Sequence, residues 1–184
     1  TASIKYAKRI QEAMLPDRHT IQRSLTESFI LFKPRDVVSG DFFWFSELPD
    51  GRQVIAAVDC TGHGVPGAMV SVVCNNGLNR SVREYGLTEP GKILDKTREL
   101  VIQEFEKSEE EVQDGMDIAL VSLKKQTQGE SAPHSHSSFS LAFAGAHNPL
   151  WIIRKDSNDI EEIKPDKQPI GKFGAEQPFT NHTV

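Results

Sequence analysis

The chain has 184 residues, enough for one domain with a buried core, and its 38% hydrophobic and 26% charged fractions are those of an ordinary globular protein. A formal net charge of −5 and a pI near 5.7 exclude a broad basic field for nucleic acid. No apolar run approaches the roughly 20 residues that span a bilayer, the opening lacks a basic-then-apolar signal pattern, and two cysteines make no disulfide framework.

Ile4, Ala7, Gln11 and Met14 recur at 3-4-3 spacing, which predicts an amphipathic helix that Pro16 stops after Leu15. Its narrow stripe suits packing on the domain, continuation of an upstream coiled coil, or pairing with a second copy as a homodimer. Residues 1–25 are therefore expected to be helix and linker, and 26–184 the domain proper. The chain opens inside this helical pattern, so an excised piece of a larger protein is expected.

Residues 17–27 are polar and predict a connection, and Ser28 to Phe32 reads as a strand ended by Lys33-Pro34. Asp41 to Phe45 is an aromatic strand, Gln53 to Val58 a second, and Leu48-Pro49-Asp50-Gly51-Arg52 is a strong turn between them. A hairpin folded at 49–51 pairs positions summing to about 100, which sets Asp41 opposite Asp59. Two carboxylates at one end of a hairpin repel unless a cation or proton lies between them.

After Asp59 come the glycines Gly62, Gly64 and Gly67, with Pro66 placed to start a helix over Val65 to Tyr85 that Gly86 ends. Ala68, Val72, Val73, Asn76, Leu78 and Val82 are its expected inner face. Thr88 is a candidate cap for a second helix, whose apolar face runs through Ile93, Leu94, Thr97, Leu100, Val101, Glu104 and Phe105. Asp117 to Leu123 and Ser138 to Ala144 alternate as strands, joined by a connection that holds His134 and His136, read as solvent-exposed. Leu150 to Arg154 and Asp159 to Lys164 form a last hairpin, and the tail from Pro165 shows no clear element. Strands, then two helices, then strands indicate an α+β fold.

Three aspartates, Asp41, Asp59 and Asp117, thus fall at strand ends, and hard divalent cations take carboxylates, carbonyls and water as ligands. The arrangement Gly-Asp, strand, Asp-x-x-Gly-His-Gly is far more specific than any one of them. The stretches Val38-Ser39-Gly40-Asp41-Phe42-Phe43, Asp59-Cys60-Thr61-Gly62-His63-Gly64-Val65-Pro66-Gly67-Ala68, Met116-Asp117-Ile118-Ala119 and Ala144-Gly145-Ala146-His147-Asn148-Pro149 resemble the SpoIIE/RsbU-like bacterial serine phosphatases, a branch of the metal-dependent protein phosphatases related to type 2C. Ile10-Gln11-Glu12-Ala13-Met14-Leu15-Pro16 resembles the helix leading into those domains, and the likeness runs from about residue 4 to about 173.

The resemblance implies an antiparallel β-sandwich flanked by helices, with two Mn²⁺ or Mg²⁺ ions at one end. By position, Asp59 would bridge both ions, the carbonyl of Cys60 would bind one, Asp41 would bind directly or through water, and Asp117 would hold the other. Asp41 and Asp59 carry the catalytic assignment. Metal-activated water would hydrolyse a phosphoserine or phosphothreonine on a signalling protein resembling an anti-sigma-factor antagonist, in the cytoplasm, with an upstream sensor domain that could tether it to a membrane. No Ser-His-Asp or reactive Cys arrangement stands out, and Cys60 lacks the Arg-bearing phosphate loop of a thiol phosphatase. His63 and His147 are read as structural. Two departures stand out: Ala146 where the family usually has Gly, and no Thr/Ser-Asp-Gly motif with a further metal-binding Asp before Val184. Asp166, in a turn-like tail, is not a substitute. The second hypothesis is therefore a catalytically incomplete or degenerate signalling module that works through dimerisation and partner binding. A metal-dependent nuclease shares the carboxylates but conflicts with the acidic balance.

Overall fold

The computed structural model describes residues 1–126 and 138–184; His134 and His136 lie outside them. Its main layer is an antiparallel sheet of five strands in the order β1 (Phe42–Glu47), β2 (Gln53–Cys60), β3 (Met116–Gln126), β4 (Ser138–Ala146) and β7 (His182–Thr183). A second sheet pairs β5 (Leu150–Ile153) with β6 (Ile160–Ile163). Among the described residues four helices accompany them: α1 (Ala2–Met14), α2 (Arg18–Ser24), α3 (Gly64–Arg83) and α4 (Pro90–Phe105). This is the α+β architecture expected from the order of elements.

The expected hairpin is present in the expected register, with Phe42 opposite Val58 and Glu47 opposite Gln53. The alternation of β2 then decides what each sheet face does. Val54, Ala56, Val58 and Cys60 point into the principal core with Cys74, Leu78, Ile93, Leu94 and Val101 of α3 and α4. Ile55, Ala57 and Asp59 point to the opposite face. There Phe43 and Phe45 are covered by Ile21 of α2 and by Ile30 and Phe32. Among the described residues no helix is long and apolar enough to cross a membrane.

Several expectations are corrected. Residues 18–24 are a helix rather than a plain connection, because the Asp17 carboxylate accepts from His19 N (3.3 Å) and Thr20 N (3.1 Å) and so caps it. Ser28 to Phe32 keeps its alternation, with Ile30 and Phe32 inward and Phe29 and Leu31 exposed, but it is not a strand. The carbonyl of Ile30 accepts from the Arg18 guanidinium instead of from a neighbouring strand. Glu89, not Thr88, is the N-cap of α4, with Pro90 at its first turn.

The inner face of α3 also differs: Val72 and Asn76 are exposed, while Gly67, Ser71, Cys74, Gly77 and Ser81 are buried. Small residues let α3 and α4 approach closely. A Cβ on Gly77 would stand 3.3 Å from Thr97 and from Val101, and Ser81 Oγ meets Thr97 Oγ1 at 2.9 Å. The tail supplies β7, pairs Ile170 with Met116 through two 2.9 Å backbone bonds, and buries Phe179 under Arg98.

The first helix has no fully buried residue, and Tyr6 and Ile10 are exposed. It is nevertheless tied down by one side chain. The Gln11 amide donates to Ser39 O and accepts from Ser39 N (2.8 Å), imitating a strand partner for the residue just before Gly40-Asp41. The same nitrogen reaches Ser71 Oγ of α3 at 3.2 Å.

Candidate metal centre

Three strands bring the three aspartates into one row. Asp59 stands opposite Asp117 in the β2–β3 register, and Asp41, the residue before Phe42, falls beside Asp59 on the other side. All three lie at the same end of the sheet, on the face away from α3 and α4. A hollow of about 180 Å³ opens between Asp59 and Asp117, bounded by Thr61, Gly115 and Ile170. A groove of about 580 Å³ leads away from Asp41 and Asp59 along Phe43, Ala57 and Phe29.

Glycines make the row possible. Gly40, before Asp41, packs on the loop after Asp59: a Cβ there would lie 2.9 Å from Gly62 O and 3.3 Å from Cys60 O. Gly62 has φ of 80° and Gly64 φ of 60°, values that favour glycine, so the loop doubles back and α3 starts at once, with His63 as its N-cap. In the β2–β3 ladder Thr61 N donates to Gly115 O (2.9 Å). Hydrogen-bonding direction alternates along a strand, so the Cys60 carbonyl faces the β1 side, towards Gly40 and Asp41. It is therefore on the same side of β2 as Asp41.

The carboxyl groups of Asp41 and Asp59 are neighbours at the open end of the hairpin. Desolvation at the strand end, and then the neighbouring Asp59, hold the Asp41 carboxyl above its usual range. The third aspartate is engaged otherwise: Asp117 Oδ1 lies 2.8 Å from His147 Nδ1. As the side chains stand, no three His, Cys, Asp or Glu among the described residues converge on a common point for a metal ion. The donor set still fits a hard divalent cation. Two neighbouring carboxylates that repel each other are a place where a cation is favoured, with a backbone carbonyl on the same side and a third carboxylate one strand away.

This carries a pH prediction. A carboxyl whose affinity for protons is raised on folding keeps a proton that the unfolded chain releases, so metal-free stability falls as pH rises from 3.8, the ordinary value, through the raised one. Asp41→Asn removes that penalty. In EDTA, calorimetry should find its melting midpoint above that of the wild type at pH 7, the two converging in acid. A variant that melts lower at pH 7 would contradict this.

The remaining candidates are placed clearly. Cys60 is buried and in contact with the Cys74 thiol; that contact first, and then burial, push the Cys60 thiol far up. Such a thiol is inert as a nucleophile. His63 Nδ1 meets Asp36 Oδ2 at 3.1 Å, joining the loop before Asp41 to the loop after Asp59. The Asp166 carboxylate accepts from Thr180 N (2.7 Å) and Thr180 Oγ1 (2.9 Å), which leaves it a structural task in the tail. The His147–Asp117 bond was not foreseen from the sequence; the signal for it was the Gly-Ala-His-Asn-Pro loop, whose spatial neighbour no spacing rule names.

A family profile described as Stage II sporulation protein E (SpoIIE) matches residues 49–184. Among solved structures the chain is similar to the SiaA-PP2C domain of Pseudomonas aeruginosa, at 32% identity and a TM-score of 0.76, covering 100% of this chain and 65% of that one. It is similar in fold to the PP2C phosphatase domain and regulatory-domain fragment of the cell fate determinant SpoIIE from Bacillus subtilis, at 18% identity and a TM-score of 0.54 over 80% of this chain. The RsbU and RsbW domains of a Mycobacterium tuberculosis protein give 23% identity and a TM-score of 0.53 over 83%. The chain spans 65% of the first of these chains and 37% of each of the other two. No curated protein sequence is significantly similar to it.

Proposed function

We propose, because the chain belongs to the SpoIIE family of PP2C-type phosphatase domains, that it hydrolyses a phosphoserine or phosphothreonine on a partner signalling protein with the help of Mn²⁺ or Mg²⁺. The observation that carries this reading is the row Asp41, Asp59, Asp117 at one end of three adjacent strands. In this reading Asp41, Asp59, Asp117 and the Cys60 carbonyl are the groups that would hold the ions, with Asp59 central to the set. When bound, such ions neutralise phosphate charge and lower the pKa of water towards neutrality.

The chain's own residues do the rest. Gly40, Gly62 and Gly67 hold the two carboxylate-bearing loops together, which orders the anionic row before any phosphate arrives. The open groove beside Asp41 and Asp59 admits an extended segment of a protein substrate rather than a small enclosed molecule. By the resemblance to RsbU-like phosphatases, the substrate is a phosphorylated protein of the anti-sigma-factor-antagonist kind.

The test is release of phosphate from a phosphoserine peptide by the purified chain, with Mn²⁺ and with EDTA. Turnover that needs Mn²⁺ supports the reading; a folded protein with no turnover sinks it for this chain. The second reading, a signalling module without turnover, has one observation of its own: as the side chains stand, the three aspartates do not converge on a common point. The same assay decides between them.

A further inference from the structure

We propose that His147 is the positioning residue for Asp117, holding that carboxylate at the angle in which its second oxygen meets a divalent cation. This deepens the phosphatase reading and rests on it, since it takes Asp117 as a ligand. The observation is a backbone outlier aimed at the site. His147 is the one described residue other than glycine with positive φ, 58°, and its Nδ1 lies 2.8 Å from Asp117 Oδ1. An unfavourable backbone conformation that persists is held by its surroundings, and such outliers gather at functional sites.

The surroundings here are explicit. His147 N–H donates to Asp166 O (3.0 Å), Asp166 N–H returns a bond to Gly145 O (3.0 Å), and Asn148 N–H donates to Ala146 O (2.7 Å). Asp166 is in turn fastened by Thr180. Gly145 has no room for a side chain, since Asn148 O, Phe143 and Pro165 fill the space a Cβ would need. Backbone pairing between His147 and Ile118 sets the imidazole beside the residue that precedes Ile118, which is Asp117. An ionised carboxylate only accepts hydrogen bonds, so Nδ1 is the donor. One oxygen of Asp117 is then committed to His147, which leaves the other for a cation at the row formed with Asp59. Partners of this kind, a step removed from the ion, typically change metal affinity 10–100-fold.

The experiment compares Mn²⁺ binding, read by electron paramagnetic resonance of the free ion, in the wild type, His147→Gly and His147→Asn, each checked for folding by circular dichroism. Gly keeps the backbone freedom and loses the donor. Asn tolerates positive φ and carries an amide nitrogen as many bonds from Cα as Nδ1. The expected result is Mn²⁺ affinity weakened about 10–100-fold in the Gly variant and restored to within a few-fold by Asn. In an Asp117→Asn background, His147→Gly should change affinity no further. A folded Gly variant that binds like the wild type, or an Asn variant as weak as Gly, overturns the proposal while the phosphatase reading stands. A wild type that takes up no Mn²⁺ overturns both.

Discussion

Asp59→Ala should lower Mn²⁺-dependent hydrolysis of a phosphoserine peptide by about a thousand-fold, equivalent to about 4 kcal/mol of transition-state stabilisation. The size follows from position. Asp59 is the middle of the row, beside Asp41 on one side and in register with Asp117 on the other, so its loss disconnects both flanking carboxylates. Loss of fold would not explain the result. Asp59 is exposed at the strand end, and its removal takes away the repulsion that, after desolvation, raises the Asp41 carboxyl. In EDTA the variant should melt no lower than the wild type. Cys60→Ala is the matching control: the proposed site would use only that residue's carbonyl, so a folded variant should keep turnover within a few-fold. Wild-type rates from Asp59→Ala, or collapse from Cys60→Ala in a folded protein, would move the chemistry away from this row.

The hairpin that pairs Asp41 with Asp59 was legible because a tight Pro-Asp-Gly turn sets register by counting. The pairing of Asp59 with Asp117 was not, because α3 and α4 lie between β2 and β3, and long connections carry no register information. The strand ends and the residue types were readable; their convergence into a row was a tertiary fact. The His147–Asp117 bond falls in the same class, joining residues 30 apart through a loop whose shape depends on Asp166 and Thr180.

Other departures have local causes. The face of α3 was read by hydrophobicity, which favours Val72, yet close approach to α4 selects small residues such as Gly77 and Ser81 whatever their polarity. α2 shows only Ile21 as an inward apolar residue, and one such residue makes no periodic signal; its start was written instead in the Asp17 cap. Ser28 to Phe32 has the alternation of a strand, but alternation reports which side is buried and not whether a neighbouring strand accepts the hydrogen bonds. β7 is two residues long, too short to stand out from a turn-rich tail.

Gly67→Ala should both destabilise the fold and weaken Mn²⁺ binding, because the same contact serves each. A Cβ at Gly67 would stand 2.6 Å from Gly62 O, 2.8 Å from Gly62 C and 3.3 Å from Gly40 Cα. All three are backbone atoms and cannot swing aside as a side-chain tip does. Either α3 withdraws from the sheet or the loop carrying Gly62 moves, and Gly40 sits against that same loop immediately before Asp41. Overpacking of a tight site costs about 1–3 kcal/mol, and in a domain of this size each kcal/mol lowers the melting midpoint by about 2–4 °C. The expected result in EDTA is thus a fall of several degrees. The informative part is the recovery with metal. Saturating Mn²⁺ stabilises the wild type by its binding free energy. The Gly67→Ala protein should gain less at the same Mn²⁺ concentration, because Asp41 and Asp59 no longer start side by side. Equal gains in the two proteins would mean that the three-glycine contact supports the fold alone, and that the spacing of the carboxylates is set by the hairpin without it.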